Sequence, residues 1–470
     1  MLTTSIVPAS STSAADLSRL QARLRGALIA PDHARYDEAR RAFNLANTQR
    51  PALIVEALSA ADVAEAVRFA WEANLGVAIQ STGHGAQPAD GALLILTHLM
   101  KGVQINAQAR TAWVEAGVQW GEVLAPAQAA GLAPLLGSSP GVGVVGYTLG
   151  GGLGWLARKY GLAADSVRAF EVVTADGRVR RASAVENADL FWALRGGGGS
   201  FGVVTGMEIQ LYPVTTVFGG NLIYPLELAP EVLARYRRWI AQAPEALTSS
   251  VLIMNFPPLP AVPEFLRGKS AVIVRGLYCG PVAEGEALLR EWLEWQAPLA
   301  NLWRAMPFSE VASVSNDPLD PVPAYNTGAW LRGLSDTSID AIIEYGAARP
   351  GRAAPIFVEV RHIGGALGRV AREANAFGNR DAELLLSVAA MAPTPEVRRL
   401  VESHAQQLKQ ALAPDLTGGV YMNFLEREEA RARTRDAYRP ENYRRLRALK
   451  AQFDPDNLFR FGFNIPPTEA

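Results

Sequence analysis

Three glycine-rich segments constrain the fold of this chain more than any other feature of its sequence. They read IQSTGHGAQ (residues 79–87), SPGVGVVGYTLGGGLG (139–154) and RGGGGSFGVVTGMEIQ (195–210). Glycine has no side chain, so its backbone approaches other groups closely, and successive N–H groups in a glycine-rich turn point into one concavity. We therefore expect these segments to form a cradle for a flat or phosphorylated ligand.

The first segment places a histidine, His84, between Gly83 and Gly85. Ser59 is a predicted N-cap for the helix that precedes this segment, and VAIQ (77–80) is a predicted buried strand that ends where the turn begins. On this segment alone, a histidine beside glycine is most often only a turn residue. If the segment is part of a cradle, however, His84 lies next to whatever ligand the cradle holds.

The second segment contains the pattern G-x-G-x-x-G, formed by Gly141, Gly143 and Gly146. Alone, this pattern is weak evidence for a dinucleotide-binding Rossmann turn, which needs a strand before it and a helix after it. No strand-like run leads into Gly141, and the later glycines weaken any helix that starts there. The context therefore disfavours a Rossmann fold.

Together with the C-terminal run YRRLRALKAQFDPDNLFRFGFNIPP (443–467), these segments resemble the berberine-bridge-enzyme-like branch of the FAD-linked oxidases. That family shares the vanillyl-alcohol-oxidase (PCMH) type of flavin fold. The resemblance covers residues 36–467 and is weakest between 215 and 415. It implies an α+β fold with a two-part FAD-binding domain and a substrate domain in which helices cover an antiparallel sheet.

The resemblance also implies the domain organisation, and the pattern of predicted elements agrees with it. Short strands alternate with helices as far as Pro213, and longer strand-like runs then alternate with amphipathic helices. GGVYMNFLE (418–426) is a predicted strand, and a polar tail is expected at residues 3–13. The implied parts are an N-terminal tail and helix (1–35), the FAD-binding domain (36–214), the substrate domain (215–417) and a C-terminal segment that returns to the FAD-binding domain (418–470).

The resemblance gives His84 a role, because the family histidine at this position is bonded to the 8α-methyl carbon of the FAD ring. A neutral imidazole is the form that can make this bond, and histidine has an unperturbed pKa of about 6.5. Many relatives add a second bond from a cysteine that aligns with Ser139, which cannot form a thioether. Cys279, the one cysteine of the chain, lies far away in a strand-like run. We therefore expect FAD to be attached through His84 only.

The resemblance implies a wider set of cofactor-binding residues from the glycine-rich segments and the C-terminal segment. Besides His84, the residues of this set are Ser81, Thr82, Gly83, Gly85, Ser139, Val142, Gly143, Gly146, Tyr147, Gly151, Gly154, Val203 and Asn464. In the family, the residue at the Val142 position controls the access of oxygen to the flavin, and valine there is typical of oxidases.

The candidate catalytic base is Tyr421, in the run Tyr421–Phe424 (YMNF) that matches the family pattern Tyr-x-Asn-Tyr. Tyr421 and Asn423 would share a strand face, and Phe424 replaces the second tyrosine. A phenol has a pKa of about 10, so it needs a nearby cation or hydrogen-bond donor to act as a base near neutral pH. The alternative interpretation is a buried tyrosine in a core strand.

Glu359 and Arg361, in the strand-like run IFVEVRHI, are the candidate partners of that base. Relatives place an acid or amide where this chain has Arg361, and Glu359 is predicted on the same strand face. Arg361 beside Tyr421 would lower the pKa of the phenol, and Glu359 would orient an amine or hydroxyl group. The alternative is an ordinary ion pair, which is worth little energetically.

The expected function is an FAD-dependent oxidase that takes a hydride from a small organic substrate (alcohol, sugar, phenol or amine) and passes electrons to O₂, giving H₂O₂. Two alternatives remain open within enzymes: a dehydrogenase with another acceptor, and a tailoring enzyme of secondary metabolism. A binding protein that holds FAD without turnover is a third. Protein that is yellow when purified and bleaches with substrate would distinguish an enzyme from a binder.

Composition excludes several other classes of function. The net charge of −1 offers no basic face for nucleic acid, and the five histidines have no metal-ligand spacing. No apolar run reaches the roughly 18 residues of a membrane helix. No basic residue precedes Arg19, so we expect no signal peptide, and a single cysteine excludes a disulfide framework. A cytoplasmic protein without bound metal is expected, and an oligomer is possible.

Overall fold

The computed structural model describes residues 13–468, so the polar tail expected at 3–13 lies outside the described residues, apart from Ser13. The strands are β1 (Ala27–Ile29), β2 (Leu53–Glu56), β3 (Val77–Gln80), β4 (Leu93–Leu96), β5 (Val103–Asn106), β6 (Thr111–Glu115), β7 (Val167–Val173), β8 (Val179–Ser183), β9 (Val203–Gln210), β10 (Thr216–Pro225), β11 (Leu247–Asn255), β12 (Ser270–Tyr278), β13 (Ala300–Asn301), β14 (Arg304–Pro307), β15 (Ala324–Leu331), β16 (Phe357–His362) and β17 (Leu384–Met391).

The helices alternate with the strands in the first half of the chain and lie between longer strands in the second half. They are α1 (Ala14–Arg23), α2 (Tyr36–Ala39), α3 (Ala60–Glu72), α4 (Trp120–Ala129), α5 (Val144–Leu149), α6 (Ala157–Tyr160), α7 (Ala188–Leu194), α8 (Ala229–Ile240), α9 (Val282–Trp295), α10 (Asp336–Gly346), α11 (Ala366–Arg369), α12 (Pro395–Ala411), α13 (Arg427–Arg433) and α14 (Pro440–Phe453).

Two sheets form the first half of the chain. One has the order β1-β2-β4-β3, in which β4 is parallel to both β2 and β3. The other has the order β5-β6-β9-β7-β8 and is antiparallel throughout. The predicted N-cap of α3 is confirmed, because the hydroxyl of Ser59 accepts from the backbone N–H of Asp62. A hairpin joins β7 to β8, and Gly177 has the positive φ (69°) that its turn needs.

The second half is built on an eight-stranded antiparallel sheet with the order β13-β10-β12-β11-β16-β17-β15, and β14 also pairs with β10. Helices α8, α9, α10 and α12 bury their apolar faces, with Tyr236, Trp292, Ile342 and Leu408, in one core with this sheet. The fold is therefore α+β, as expected. These sheets support the domain boundaries that we propose at 36–214 and 215–417. Strand β15 was not predicted from the sequence.

The C-terminal segment returns to the first half of the chain and carries α14. Lys450 on this helix is fully buried and donates to the backbone oxygen of Ser200 at 2.7 Å and to Asp454 at 2.5 Å. The strand predicted at 418–426 is wrong. Met422–Phe424 form one turn of 3₁₀ helix instead, because the side chains on either side of Met422 hydrogen-bond inward rather than pairing with a strand. Within residues 13–468, no helix is both long and apolar enough to span a bilayer.

Candidate active site

The turn that carries His84 is held close to the entry of the chain into the first domain. Gly83 has a φ of 82°, and a Cβ there would lie 2.7 Å from the Cα of Ala42, so only glycine fits. The His84 ring stacks on Phe43 with 3.7 Å between ring centroids, and its Nδ1 is 2.8 Å from the hydroxyl of Thr82. Burial lowers the pKa of His84 to about 4, so the imidazole is neutral at pH 7.

The second glycine-rich segment meets this turn. A Cβ on Gly143, at the start of α5, would lie 3.2 Å from the hydroxyl oxygen of Ser81. Ser139 is buried, and its hydroxyl accepts from the backbone N–H of Gly141 at 3.3 Å. Val142 is half-buried and packs against the core of the first half of the chain. The structure thus brings the first two segments together around one space.

Two groups of glycines within the three segments differ in what surrounds them. A Cβ at the first group would meet no atom within 4 Å, so these backbones border open space; the group is Gly85, Gly146, Gly198 and Gly199. A Cβ at the second group would collide with protein at 2.0, 2.5 and 1.9 Å respectively; the group is Gly150 (against Asn423), Gly151 (against Phe377) and Gly154 (against Leu136). The first group is free to border a ligand, and the second lets the C-terminal segment and the loops that carry Leu136 and Phe377 pack closely against this backbone.

The polar atoms around that space fit FAD. Of the buried side-chain atoms without a hydrogen-bond partner among residues 13–468, three belong to the predicted cofactor residues: Ser81 Oγ, the Tyr147 hydroxyl and Asn464 Oδ1. A buried polar atom without a partner costs about 1–3 kcal/mol, so a bound group with both donors and acceptors would relieve the cost. A flavin ring and a pyrophosphate supply such groups. Asn464 is held near the third segment, because the neighbouring Ile465 N–H donates to the hydroxyl of Ser200.

Val203, another of the predicted cofactor-binding residues, is buried at the start of β9 and pairs with Val173 of β7. It packs in the core beneath the four-stranded sheet.

Tyr421 lies where the C-terminal segment crosses the second glycine-rich segment. Its hydroxyl oxygen accepts from the backbone N–H of Leu153 at 3.0 Å and from the side-chain amide of Asn423 at 3.1 Å. The same amide donates to the backbone oxygen of Tyr147 at 3.0 Å. Burial raises the pKa of Tyr421, and the two N–H donors and the charge of Arg361 act against that rise. The prediction that Tyr421 and Asn423 share a strand face is wrong, because this run forms a 3₁₀ turn, in which the Asn423 amide donates to the Tyr421 hydroxyl.

Glu359 and Arg361 form an ion pair on β16, with 2.7 Å between Glu359 Oε2 and Arg361 Nε. Glu359 is 0% exposed, and its other oxygen accepts from Ser250 at 2.6 Å and from Arg275 at 2.6 Å. Although burial opposes ionisation, Arg275 and Arg361 hold the pKa of Glu359 at about 2. The Arg361 guanidinium lies 5.2 Å from the Phe424 ring centroid, and no hydrogen bond joins it to Tyr421 within the described chain.

A cavity of about 330 Å³, counting its open mouth, lies between the second glycine-rich segment and the eight-stranded sheet. We call it the Arg361 cavity. Its lining residues are Ser138, Leu153, Gly154, Trp155, Thr248, Ser249, Arg361, His362 and Ile363. Sequence reasoning missed most of them, because they come from three distant parts of the chain. Of the lining residues, only Gly154 and Arg361 were among the candidate site residues identified from the sequence.

The comparisons with known proteins agree with this geometry. The model of the FAD binding domain family matches residues 51–183, and the model of the "Berberine and berberine like" family matches residues 420–466. An uncharacterized FAD-linked oxidoreductase of Bacillus subtilis (strain 168) is 30% identical, over 95% of this chain and 98% of its own. The (R)-6-hydroxynicotine oxidase of Paenarthrobacter nicotinovorans is 32% identical, over 94% of this chain and 97% of its own.

The fold has a solved counterpart. The crystal structure of 6-hydroxy-D-nicotine oxidase from Arthrobacter nicotinovorans superimposes with a TM-score of 0.81 at 26% identity, over 94% of this chain and 98% of that one. Because almost all of both chains is covered, the match includes the FAD-binding half, the eight-stranded sheet and the C-terminal segment. The chain described here belongs to the berberine-bridge-enzyme-like family of FAD-linked oxidoreductases.

Proposed function

We propose that this FAD-dependent oxidase takes a hydride from an alcohol, sugar, phenol or amine and reduces O₂ to H₂O₂. When bound, FAD supplies the hydride acceptor and the route of electrons to oxygen. The chain itself must bind and orient the substrate, remove a proton from its oxygen or nitrogen, and shield the reaction from water. Each of these tasks has a candidate residue in the space between the glycine-rich segments and β16.

The observation that carries the proposal is the environment of the Tyr421 hydroxyl. Two N–H groups, from Leu153 and Asn423, already point at its oxygen. Donors in this arrangement stabilise a phenolate more than a phenol, and the Arg361 charge acts in the same direction. A tyrosine that only filled a core would need one partner for its own O–H. Tyr421 is therefore our candidate general base.

Arg361 and Glu359 have different proposed roles. Glu359 has no exposed surface, and both of its oxygens are already bonded, so we propose that it positions Arg361 rather than contacting substrate. Arg361 borders the Arg361 cavity, so its guanidinium is in reach of a bound molecule. The ion pair between them is therefore more than a surface contact.

We propose a single covalent bond from His84 to the flavin. The neutral state of the imidazole supports this proposal, because only the neutral ring has a free lone pair for bond formation. Ser139 carries a hydroxyl, whereas a thioether bond would need a sulfur atom at that position. The buried Cys279 accepts a hydrogen bond from Lys159 in a different part of the fold. The single buried cysteine also supports our proposal that the chain works in the cytoplasm.

The test is whether a purified, yellow protein is bleached by substrate without oxygen and makes peroxide with it. A panel of alcohols, sugars, phenols and cyclic amines is added anaerobically while flavin absorbance is followed, and air is then admitted with a peroxide assay. Bleaching followed by stoichiometric H₂O₂ supports an oxidase. Bleaching that persists in air for minutes would instead indicate a dehydrogenase, and no bleaching with any member would indicate a binder.

A further inference from the structure

Within the described residues, only one of the three nitrogen atoms of the Arg361 guanidinium donates a hydrogen bond to the protein. Its Nε donates to Glu359, while neither Nη atom donates a hydrogen bond to any residue between 13 and 468. The edge of a guanidinium that carries the two Nη atoms matches the two oxygens of a carboxylate. This edge belongs to a residue that lines the Arg361 cavity.

A second donor in the same cavity also lacks a partner. Trp155 is 6% exposed, and its indole N–H has no hydrogen-bond acceptor in the part of the chain that the structure describes. An indole nitrogen can only donate, so the missing partner must be an acceptor. The hydroxyls of Ser138 and Thr248, which also line the cavity, can donate or accept, and that of Ser249 is bonded to Tyr236. The unmet need of this cavity is therefore for acceptor oxygens.

The charges around the cavity favour an anion. Two guanidinium groups, of Arg275 and Arg361, hold the one buried carboxylate of Glu359, and a third, of Arg158, contacts the cavity residue His362. Arg158 is also 6% exposed; it donates to backbone oxygens and to His362, whose pKa burial and the Arg158 charge lower to about 3. His362 is therefore neutral and does not add charge of its own.

The groups that face Arg361 do not remove this excess of positive charge. Glu359 is shared with Arg275, which bonds its other oxygen. The charge of Asp317, in the loop before β15, raises the pKa of Arg361, but no ion pair joins the two among the described residues. Tyr421 and Tyr147 are protonated phenols, because burial raises the pKa of both.

We propose that the substrate carries a carboxylate, which the two Nη atoms of Arg361 bind in the Arg361 cavity. This inference rests on the proposed function and narrows its substrate class to small organic acids with an oxidisable hydroxyl or amine. Phe424 packs against both Arg361 and Tyr421, so a carboxylate held by Arg361 brings its oxidisable group beside the phenol. Arg361 is then the residue that selects the substrate.

The test compares carboxylates with their neutral amides on the flavin-loaded protein. Acetate and acetamide, benzoate and benzamide, and glucuronate and glucuronamide are titrated, with Kd read from flavin absorbance and from calorimetry. At least one carboxylate should bind about 10- to 100-fold more tightly than its amide, as expected for a charge-assisted bidentate contact. If no carboxylate binds more tightly than its amide, the proposal is wrong, and this comparison needs no variant.

Variants then assign the preference to one side chain. Arg361→Gln should abolish the preference, and Arg361→Lys, which keeps the charge but not the paired donors, should retain a weaker one. Arg399→Gln on the exposed face of α12 removes the same charge and should change nothing. A preference that survives in Arg361→Gln would overturn the proposal. If only neutral substrates gave peroxide, the oxidase function would stand and the carboxylate proposal would be wrong. If carboxylates bound but no substrate were turned over, carboxylate binding would stand and the oxidase function would be wrong.

Discussion

The hydroxyl oxygen of Tyr421 accepts a hydrogen bond from the backbone N–H of Leu153 across 3.0 Å, in the interior of the protein. Leu153 belongs to the second glycine-rich segment, and Tyr421 to the segment that returns from the C-terminal end. The contact joins two parts of the chain that are far apart in sequence at the point where we place the proton transfer. It depends on Gly150, where a Cβ would lie 2.0 Å from the Asn423 side chain.

Tyr421→Phe should slow flavin reduction by substrate by about 10²- to 10⁴-fold, the usual cost of losing a general base. The ring keeps its packing against Trp330 and Phe377, so flavin content should hold. The Leu153 N–H loses its acceptor, which should lower the stability by about 1–3 kcal/mol. Anaerobic stopped-flow absorbance and thermal unfolding measure the two effects. Tyr224→Phe, another buried tyrosine, is the control and should leave the rate unchanged.

The pH dependence of the same step follows from the pKa of Tyr421. A base acts when it is deprotonated, so the rate should rise with pH until it passes the pKa of this phenol, which burial raises. Arg361 opposes that rise, so Arg361→Met should raise the pKa further and move the ascending limb to higher pH. An unshifted limb in Arg361→Met, or a near-normal rate in Tyr421→Phe, would assign the base to another group.

His84→Ala should remove the covalent flavin and leave non-covalent binding, since the open glycines of the three segments still border the cofactor space. Flavin fluorescence of the denatured protein band after gel electrophoresis measures the bond, and absorbance of the native protein measures binding. His404→Ala, a histidine on α12 that contacts the backbone oxygen of Tyr345, should keep the fluorescent band. A flavin-bearing peptide that contains Ser139 or Cys279 would contradict the single attachment.

Val142→Leu should slow reoxidation of the reduced flavin by O₂ and leave anaerobic reduction nearly unchanged. Val142 is half-buried next to Gly143, so one added methylene narrows the approach to the cofactor space without overfilling the core. Double-mixing stopped flow separates the two half-reactions. Val185→Leu, at a position that is 96% exposed, is the control for the same substitution. Equal reoxidation rates in both variants would mean that oxygen enters elsewhere.

Lys450→Met should cost about 3–5 kcal/mol of stability, the usual penalty for leaving one charge of a buried pair alone. Asp454 would lose its cation while remaining fully buried, although the Leu458 and Phe459 N–H groups still donate to it. Denaturant unfolding, followed by tryptophan and flavin fluorescence, measures the loss. Lys101→Met breaks a half-exposed pair with Glu122 and should cost less than about 1 kcal/mol. If the two variants lost similar amounts of unfolding free energy, the buried Lys450–Asp454 pair would not be what stabilises the position of α14.

Elements with strong local signals were predictable from the sequence. Ser59 caps α3, and the turn at Gly177 joins β7 to β8, because in each case the residues that determine the conformation are neighbours in the chain. Strand β15 was missed, since its polar residues Asn326 and Thr327 look unsuited to a core. Their partners, Glu426 and Glu429, are supplied by a helix about one hundred residues later.

The candidate site was predictable only in part, for the same reason. His84 and Tyr421 stand in recognisable motifs. The sharing of Glu359 between Arg275 and Arg361 depends on the pairing of β11 with β12 and β16, which no local pattern reveals. The apolar run at 418–426 does not pair as a strand; it buries Tyr421 and Met422 in a turn whose side chains hydrogen-bond to the backbone of Leu153 and Tyr147.

Lys450 of α14 donates a hydrogen bond to Ser200, so the cofactor space is complete only after the C-terminal segment has folded back. His84 and the glycine-rich segments leave the ribosome long before Lys450 and Asn464 do. Until then the cofactor space lacks one wall, and the apolar surfaces around it face water, where they invite aggregation. We therefore expect FAD to be captured after translation, once the C-terminal segment has folded back onto the first half of the chain.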